Sequence, residues 1–196
     1  MPTNEPKKAP KNCFIPVSLC CKIRRKVHLS HQNSMNVAFL GMGGNLGDQR
    51  ARLQSALAQL AERGCRIEKV SRYYHTAPWG SASTNNYVNI AVQISCEMDA
   101  IALHGVTSSI EASEGRIRTE ERNADRTMDI DILCFNSEVI RLPTLAIPHP
   151  RMHLRPFVLM PLSEIAPVFV HPELHRTFKE LCDEVGTEGI LAITEI

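Results

Sequence analysis

An α+β domain is what the sequence predicts, on three observations. Several short stretches are apolar or alternate with a period of two, and two longer ones carry apolar residues at helical spacing. Gly, Asn, Ser and Pro punctuate the joins between them. The chain has 196 residues, 43% hydrophobic and 22% charged, which suits one domain with a sizeable core. No stretch approaches the roughly 18 apolar residues of a membrane-spanning helix.

Taken in order, Asn36–Leu40 is a short apolar run ending on glycines, as a buried strand does. Asp48–Arg63 follows with Leu53, Leu57 and Leu60 on one face, and Gly64 stops it. Ile67–Tyr74, with β-branched and aromatic residues, reads as one strand, and Thr76–Asn85 as a polar loop. Tyr87–Cys96 alternates like another strand, and Ala100–Glu114 has the spacing of a second helix. Gly115–Thr127 is a charged loop leading to the strand Thr127–Phe135, and Asn136-Ser137 is the turn into Glu138–Ile140. Beyond lie Pro-rich loops and short helices, the clearest being Thr177–Val185. The order strand, helix, strand, strand, helix, strand is that of the split βαβ, a ferredoxin-like sandwich with an antiparallel sheet. C-terminal loops and short helices complete it.

Charge divides the chain in two. Residues 1–34 carry seven Lys or Arg against one acid and no sustained period, which predicts a basic, disordered extension ahead of a single domain at 35–196. The apolar run Phe14–Cys21 is broken by Pro16, leads into Lys22-Ile23-Arg24-Arg25-Lys26 and lacks a small-residue cleavage site, so it makes a poor secretory signal. Met35 directly precedes the first convincing strand and is an alternative start. The remainder holds fifteen bases against twenty acids, which disfavours general nucleic-acid binding. Neither nucleic acid nor membrane is expected as a partner, and the chain is expected to act as a monomer. The seven Cys form no CxxC pair, so zinc and redox readings have no support. Scattered small hydrophobes in a reducing, cytoplasmic compartment is the plain interpretation.

Three groups of residues point to chemistry. Gly41-Met42-Gly43-Gly44-Asn45-Leu46-Gly47 sits between a strand and a helix, but its spacing fails the dinucleotide fingerprint. It reads as a tight connection with close backbone approach. Next, alternation along Arg126-Thr127-Met128-Asp129-Ile130-Asp131-Ile132-Leu133 turns Met128, Ile130 and Ile132 to the core. Asp129 and Asp131 then share the other face about 7 Å apart. Two such carboxylates can hold hard cations, and magnesium completes its shell with water and substrate phosphates. The bland alternative is the acidic outer face of an amphipathic strand.

Arg116, Arg118, Arg122, Arg126, Arg141, Arg151 and Arg155 crowd the same region, seven of the fifteen bases after residue 34. Acids for metal beside planar forks for phosphate suit phosphoryl transfer; surface ion pairing is the competing account. Finally, Tyr87 and Asn89 share a strand face. A ring to stack and an amide to read an edge fit a flat heteroaromatic ligand, with Trp79 and Phe157 as further aromatics.

These residues together resemble the 6-hydroxymethyl-7,8-dihydropterin pyrophosphokinase family of folate biosynthesis. The matching pieces are Gly-Asn-Leu-Gly at 44–47, Tyr74-His75-Thr76-Ala77-Pro78-Trp79-Gly80, Tyr87-Val88-Asn89 and Arg116 through Leu133. Pro148-His149, Arg155-Pro156-Phe157 and the run Pro161 to Pro167 complete the set over about residues 36–172. The resemblance implies a ferredoxin-like fold and transfer of pyrophosphate from ATP to a pterin hydroxymethyl group, releasing AMP. It implies that Asp129 and Asp131 hold two Mg2+ ions with ATP, and that Arg116 and Arg126 are catalytic arginines on a mobile loop. Glu111, Arg118, Ile132, His149 and Arg155 would contact ATP. Tyr87 and Phe157 would sandwich the pterin, with Asn89, Thr76, Ala77 and Trp79 reading its edge.

Three positions depart from the family's usual pattern. Gly44 stands where Ser is usual, Asp125 where a Pro precedes the key arginine, and Trp79 where an aliphatic residue is common. Asp125 is placed to pair with Arg126. The alternatives are a paralogue acting on another heterocycle and a non-catalytic ligand or nucleic-acid binding module.

Overall fold

The computed structural model describes residues 35–79, 83–116 and 125–196, of which Met35–Ile196 is the span of one compact unit. Its first strand, β1 (Asn36–Gly44), outruns the apolar stretch that predicts it. The glycines continue the pairing instead of turning the chain, and the connection falls at residues 45–48. A Cβ on Gly43 would stand 2.3 Å from Asn89 Oδ1, and one on Gly44 2.4 Å from the Thr127 carbonyl oxygen. Glycine is therefore what lets both neighbouring chain segments close on this end of β1.

Helix α1 (Gln49–Glu62) starts at Asp48, whose carboxylate accepts from the Ala51 amide at 3.1 Å, and buries Leu53, Ala56 and Leu60. The single strand expected over Ile67–Tyr74 is two, β2 (Arg66–Val70) and β3 (Tyr73–Thr76). Buried Ser71 makes the break. Its amide donates to the Ala91 carbonyl and its hydroxyl accepts from the Ala91 amide, both at 2.9 Å. Both strands pair with β4 (Tyr87–Cys96), which leads through the Asp99 cap into α2 (Ala100–Ser113) and then β5 (Asp129–Phe135).

A two-stranded ladder, β6 (Ile140–Arg141) with β7 (Ala146–Ile147), and a 3-10 turn at Met152–Leu154 follow. Then come α3 (Pro156–Ile165), α4 (Phe178–Val185) and a last strand, β8 (Ile190–Thr194). Thr177 and Glu180 form a reciprocal capping box on α4.

The main sheet runs β5-β1-β4-β3-β8 with β2 also on β4, antiparallel throughout. This is the expected ferredoxin-like order, widened by β8. Leu40, Met42 and Ile130 pack with Leu53, Leu60, Leu103 and Ile110 of α1 and α2. Phe39, Ala91 and Leu133 pack on the opposite face with Val158, Leu162 and Phe178 of α3 and α4. The C-terminal part thus supplies a second helical layer.

Candidate active site

Strand alternation decides which side chains reach the site. Asp129, Asp131 and Leu133 point to the α3 side of the sheet, as do Tyr87, Asn89 and Ala91. Leu133 and Ala91 run on into the core under α3. The polar members lie at the rim of that core, where they line a cavity of about 230 Å³ together with Phe157 and Val158 from the start of α3.

Between them β1 shows only glycine. Gly43 pairs with Asn89 on one side and Asp129 on the other, and Gly41 pairs likewise with Ala91 and Asp131. The floor between the amide of Asn89 and the carboxylate of Asp129 is therefore bare backbone, about 10 Å across two strand spacings. Gly43→Ala should push Asn89 off its bond to Thr76 and raise the Michaelis constant of whatever ligand Asn89 reads, by about tenfold for one lost hydrogen bond. Steady-state kinetics against that ligand checks this; an unchanged constant would mean the floor has slack.

On the acidic side, Asp129 is held twice. Arg116 Nη1 donates to its Oδ1 at 2.5 Å and Arg126 Nη1 to its Oδ2 at 2.6 Å. Arg116 is in turn paired with Glu111, whose Oε1 also accepts from the Ile130 amide at 2.8 Å. Arg126 is bracketed by Asn45, which accepts from its amide at 2.8 Å and donates its own amide to the Arg126 carbonyl at 3.0 Å.

Asp125 feels the charge of Arg126, as expected, and takes further partners besides. It accepts from Asn45 Nδ2 at 2.6 Å and Asn85 Nδ2 at 2.7 Å. Hydrogen bonds from Ser83, Asn45 and Asn85, with the charge of Arg126 acting the same way, hold its carboxyl below the usual range.

Burial, then the charge of Asp129, pushes the Asp131 carboxyl up to about 7. Burial, then Arg155 and Arg151, brings the His149 imidazole down to about 4, so it is neutral at physiological pH. The His149 amide donates to the Leu133 carbonyl at 2.9 Å, which fixes the residue alongside β5. Its Nδ1 accepts from the Arg151 amide at 3.3 Å, which places the proton on Nε2, 3.8 Å from Asp131 Oδ2. The guanidinium of Arg155 lies 5.4 Å over the Trp79 ring and 5.6 Å over the Phe157 ring. Its buried Nε has no hydrogen-bond partner among the described residues.

On the other side, Asn89 Nδ2 donates to Thr76 Oγ1 at 2.9 Å, and Trp79 meets Phe157 edge-on at 6.1 Å.

Most of the expected site residues share this cavity: Arg116, Arg126, Asp129, Asp131, His149 and Arg155 with Thr76, Ala77, Trp79, Tyr87, Asn89 and Phe157. Ile132 does not. Its side chain sits in the core under α1 and α2, because it follows Asp131 on an alternating strand. Glu111 is buried behind Arg116 and touches the site through it. Arg118 lies outside the described residues. The sequence reading named Asn45 only within its glycine run and Arg151 only within the arginine cluster, without a role for either; the structure buries Asn45 against the Arg126 backbone and sets Arg151 in the cavity wall.

The sequence model of one family, 7,8-dihydro-6-hydroxymethylpterin-pyrophosphokinase (HPPK), matches residues 39–167. A 2-amino-4-hydroxy-6-hydroxymethyldihydropteridine pyrophosphokinase from Porphyromonas gingivalis is 39% identical over 144 residues, covering 71% of this chain and 96% of that protein. Its namesake from Bacillus subtilis is 41% identical over 131 residues, or 66% of this chain and 78% of that one. The folic acid synthesis protein FOL1 of Dictyostelium discoideum is 38% identical over 142 residues, 72% of this chain. The match spans only 21% of FOL1. Among solved structures, wild-type HPPK-DHPS of Plasmodium falciparum with pteroate superposes with a TM-score of 0.63. That match covers 77% of this chain and 44% of the other at 16% identity, a likeness of fold.

Proposed function

Since the chain belongs to the 7,8-dihydro-6-hydroxymethylpterin-pyrophosphokinase family, the pyrophosphokinase of folate synthesis, we propose that it transfers pyrophosphate from ATP to the hydroxymethyl oxygen of 6-hydroxymethyl-7,8-dihydropterin and releases AMP. The observation that carries the reading is the glycine floor of β1. It lets an aromatic and amide subsite face a carboxylate and arginine subsite with no side chain between them.

The donor set fits a hard divalent cation. Asp129 and Asp131 project from one face of β5, and burial followed by the charge of Asp129 raises the carboxyl of Asp131, a cost that a cation between them would relieve. Two carboxylates that leave positions for water and phosphate oxygens suit magnesium, and Asp129 and Asp131 would hold two such ions brought with ATP. Bound there, magnesium neutralises charge on the phosphate oxygens.

The remaining work falls to side chains of this chain. The forks of Arg116 and Arg126, now on Asp129, would turn to phosphate oxygens, and the Nε of Arg155, without an acceptor among the described residues, would do the same. Neutral His149 donates from Nε2. Asn89 and Thr76 orient the pterin edge while Tyr87 and Phe157 flank its ring. The hydroxymethyl oxygen bonds to the β-phosphorus as the bond from that phosphorus to the α–β bridging oxygen breaks. AMP leaves with the bridging oxygen, and the hydroxyl proton passes to solvent.

The test is turnover with ATP, magnesium and the dihydropterin, resolving AMP from ADP. Pterin-dependent AMP supports the reading; ADP would overturn the phosphate register. Asn89→Ala should raise the pterin KM by about tenfold and leave the ATP KM within about twofold. Equal changes in both would remove Asn89 from the pterin side. A second reading, a related transferase for another heterocycle, rests on Trp79, half-exposed in the cavity where an aliphatic residue is common. A dihydropterin that binds without yielding AMP would favour it.

No helix among the described residues is long and apolar enough to cross a membrane. We place the protein in the cytoplasm on its buried, unpaired Cys65, Cys96 and Cys134.

A further inference from the structure

We propose that the C-terminal strand β8 positions the segment that reads the pterin, acting through the Gly189 carbonyl on the backbone of Ala77; the inference rests on the pterin assignment above. The family match ends at residue 167, and β8 lies beyond it at Ile190–Thr194. Few of its side chains serve the fold: Leu191, Ala192 and Ile193 are exposed, and none of its residues belongs to either core. What β8 does contribute is backbone pairing along β3, the strand that ends at Thr76.

The register runs Tyr73 with Thr194, Tyr74 with Ile193 and His75 with Ala192, then slips so that Thr76 faces Ile190. Leu191 is the extra residue, a bulge at the point where β3 reaches the cavity. One step further, the Ala77 amide donates to the Gly189 carbonyl at 2.9 Å. Gly189 has a φ of +79°, a left-handed conformation that aims this carbonyl and that other residues adopt only with strain.

The far end of β8 is fixed as well. Thr194 Oγ1 accepts from Arg50 Nη2 at 2.6 Å and lies 3.1 Å from His75 Nε2. The Arg50 guanidinium stacks 4.9 Å over the Tyr73 ring. Slippage of β8 is thereby blocked, and with it drift of the Gly189 carbonyl.

The target of this bracing is specific. Thr76 is buried and accepts from Asn89, Ala77 lines the cavity, and Trp79 stands two residues on. Without β8 the strand β3 becomes a sheet edge and the Ala77 amide loses its acceptor. The carboxylate and arginine subsite lies across β1 on β5 and is not touched by β8.

The experiment compares the full chain with a variant lacking residues 187–196 and with the single substitution Gly189→Ala. The truncation should raise the pterin KM by about tenfold, with the ATP KM and saturated kcat within about threefold. Gly189→Ala should shift the same constant in the same direction by a smaller factor. Amide exchange at Ala77 should quicken in both variants, a readout independent of turnover. If the truncated chain does not fold, Gly189→Ala alone decides. An unchanged pterin KM in a folded variant overturns the inference, and so does a parallel loss in all three kinetic constants. Failure of the full chain to form AMP from the dihydropterin would instead count against the proposed function, leaving amide exchange to judge the bracing of Ala77.

Discussion

Asp131→Ala should leave the fold intact and lower kcat by roughly three to four orders of magnitude, as expected for loss of a carboxylate that holds charge-neutralising metal at a transferring phosphate. The more telling variant is Asp131→Asn, because it separates the cost of this acid from its use. Its folded-state carboxyl is raised to about 7 from an ordinary 3.8 by burial and by Asp129. A raised acid favours the fold when protonated, so its contribution is fully present below pH 3.8 and is lost as pH rises through about 7. Without metal, Asp131→Asn should therefore be more stable than the parent at pH 8 and equal to it near pH 4. The side chain is 40% exposed, so solvent screening reduces the gain. About 1–2 kcal/mol is left, or a few degrees in melting temperature. Thermal melts at both pH values, with and without magnesium and ATP, check the sign. Full turnover in Asp131→Ala would sink the metal assignment, and an equal stability gap at both pH values would sink the electrostatic one.

Arg126→Ala should lower kcat by about two to three orders of magnitude, the usual loss when one charge-stabilising donor leaves a transition state. Its pterin KM should change much less than kcat, since the pterin side is built on β3 and β4 and Arg126 meets it through a hydrogen bond with Tyr87. Arg126→Lys should recover little, because an ammonium cannot present the two parallel donors of a guanidinium. The arginine also has a built position: Asn45 grips its backbone on both sides, and Asp125 ties Asn45 to Asn85. Asp125→Ala should accordingly lower kcat by a smaller factor than Arg126→Ala does. A loss confined to KM for ATP in Arg126→Ala would assign the arginine to ground-state binding only.

What could be read without coordinates was what local physics decides. The alternation through Asp129 and Asp131 needs only the period of a strand, and α1 and α2 need only their apolar stripes and Asp caps. What escaped depends on partners far along the chain. Gly43 and Gly44 look like a turn until Asn89 and Thr127 close in on them from other strands. Ser71 looks like a strand residue until Ala91 takes its ladder bonds. Helix α3 hid behind its prolines, although Pro156 occupies the first turn, where no amide donor is needed. Strand β8 has the β-branched content of a strand, but its pairing to β3 is what makes it one.

Trp79 is the only tryptophan in the chain, 43% exposed at the cavity wall and close to Arg155 and Phe157. All indole emission from this protein therefore originates at one point, in the wall of the cavity. A planar guest that covers the indole should shift its fluorescence to shorter wavelength and quench it, while unfolding should move it the other way. The chain needs no dye or label: titration in a fluorimeter can follow occupancy of the aromatic subsite in the native protein and in every variant that keeps this residue.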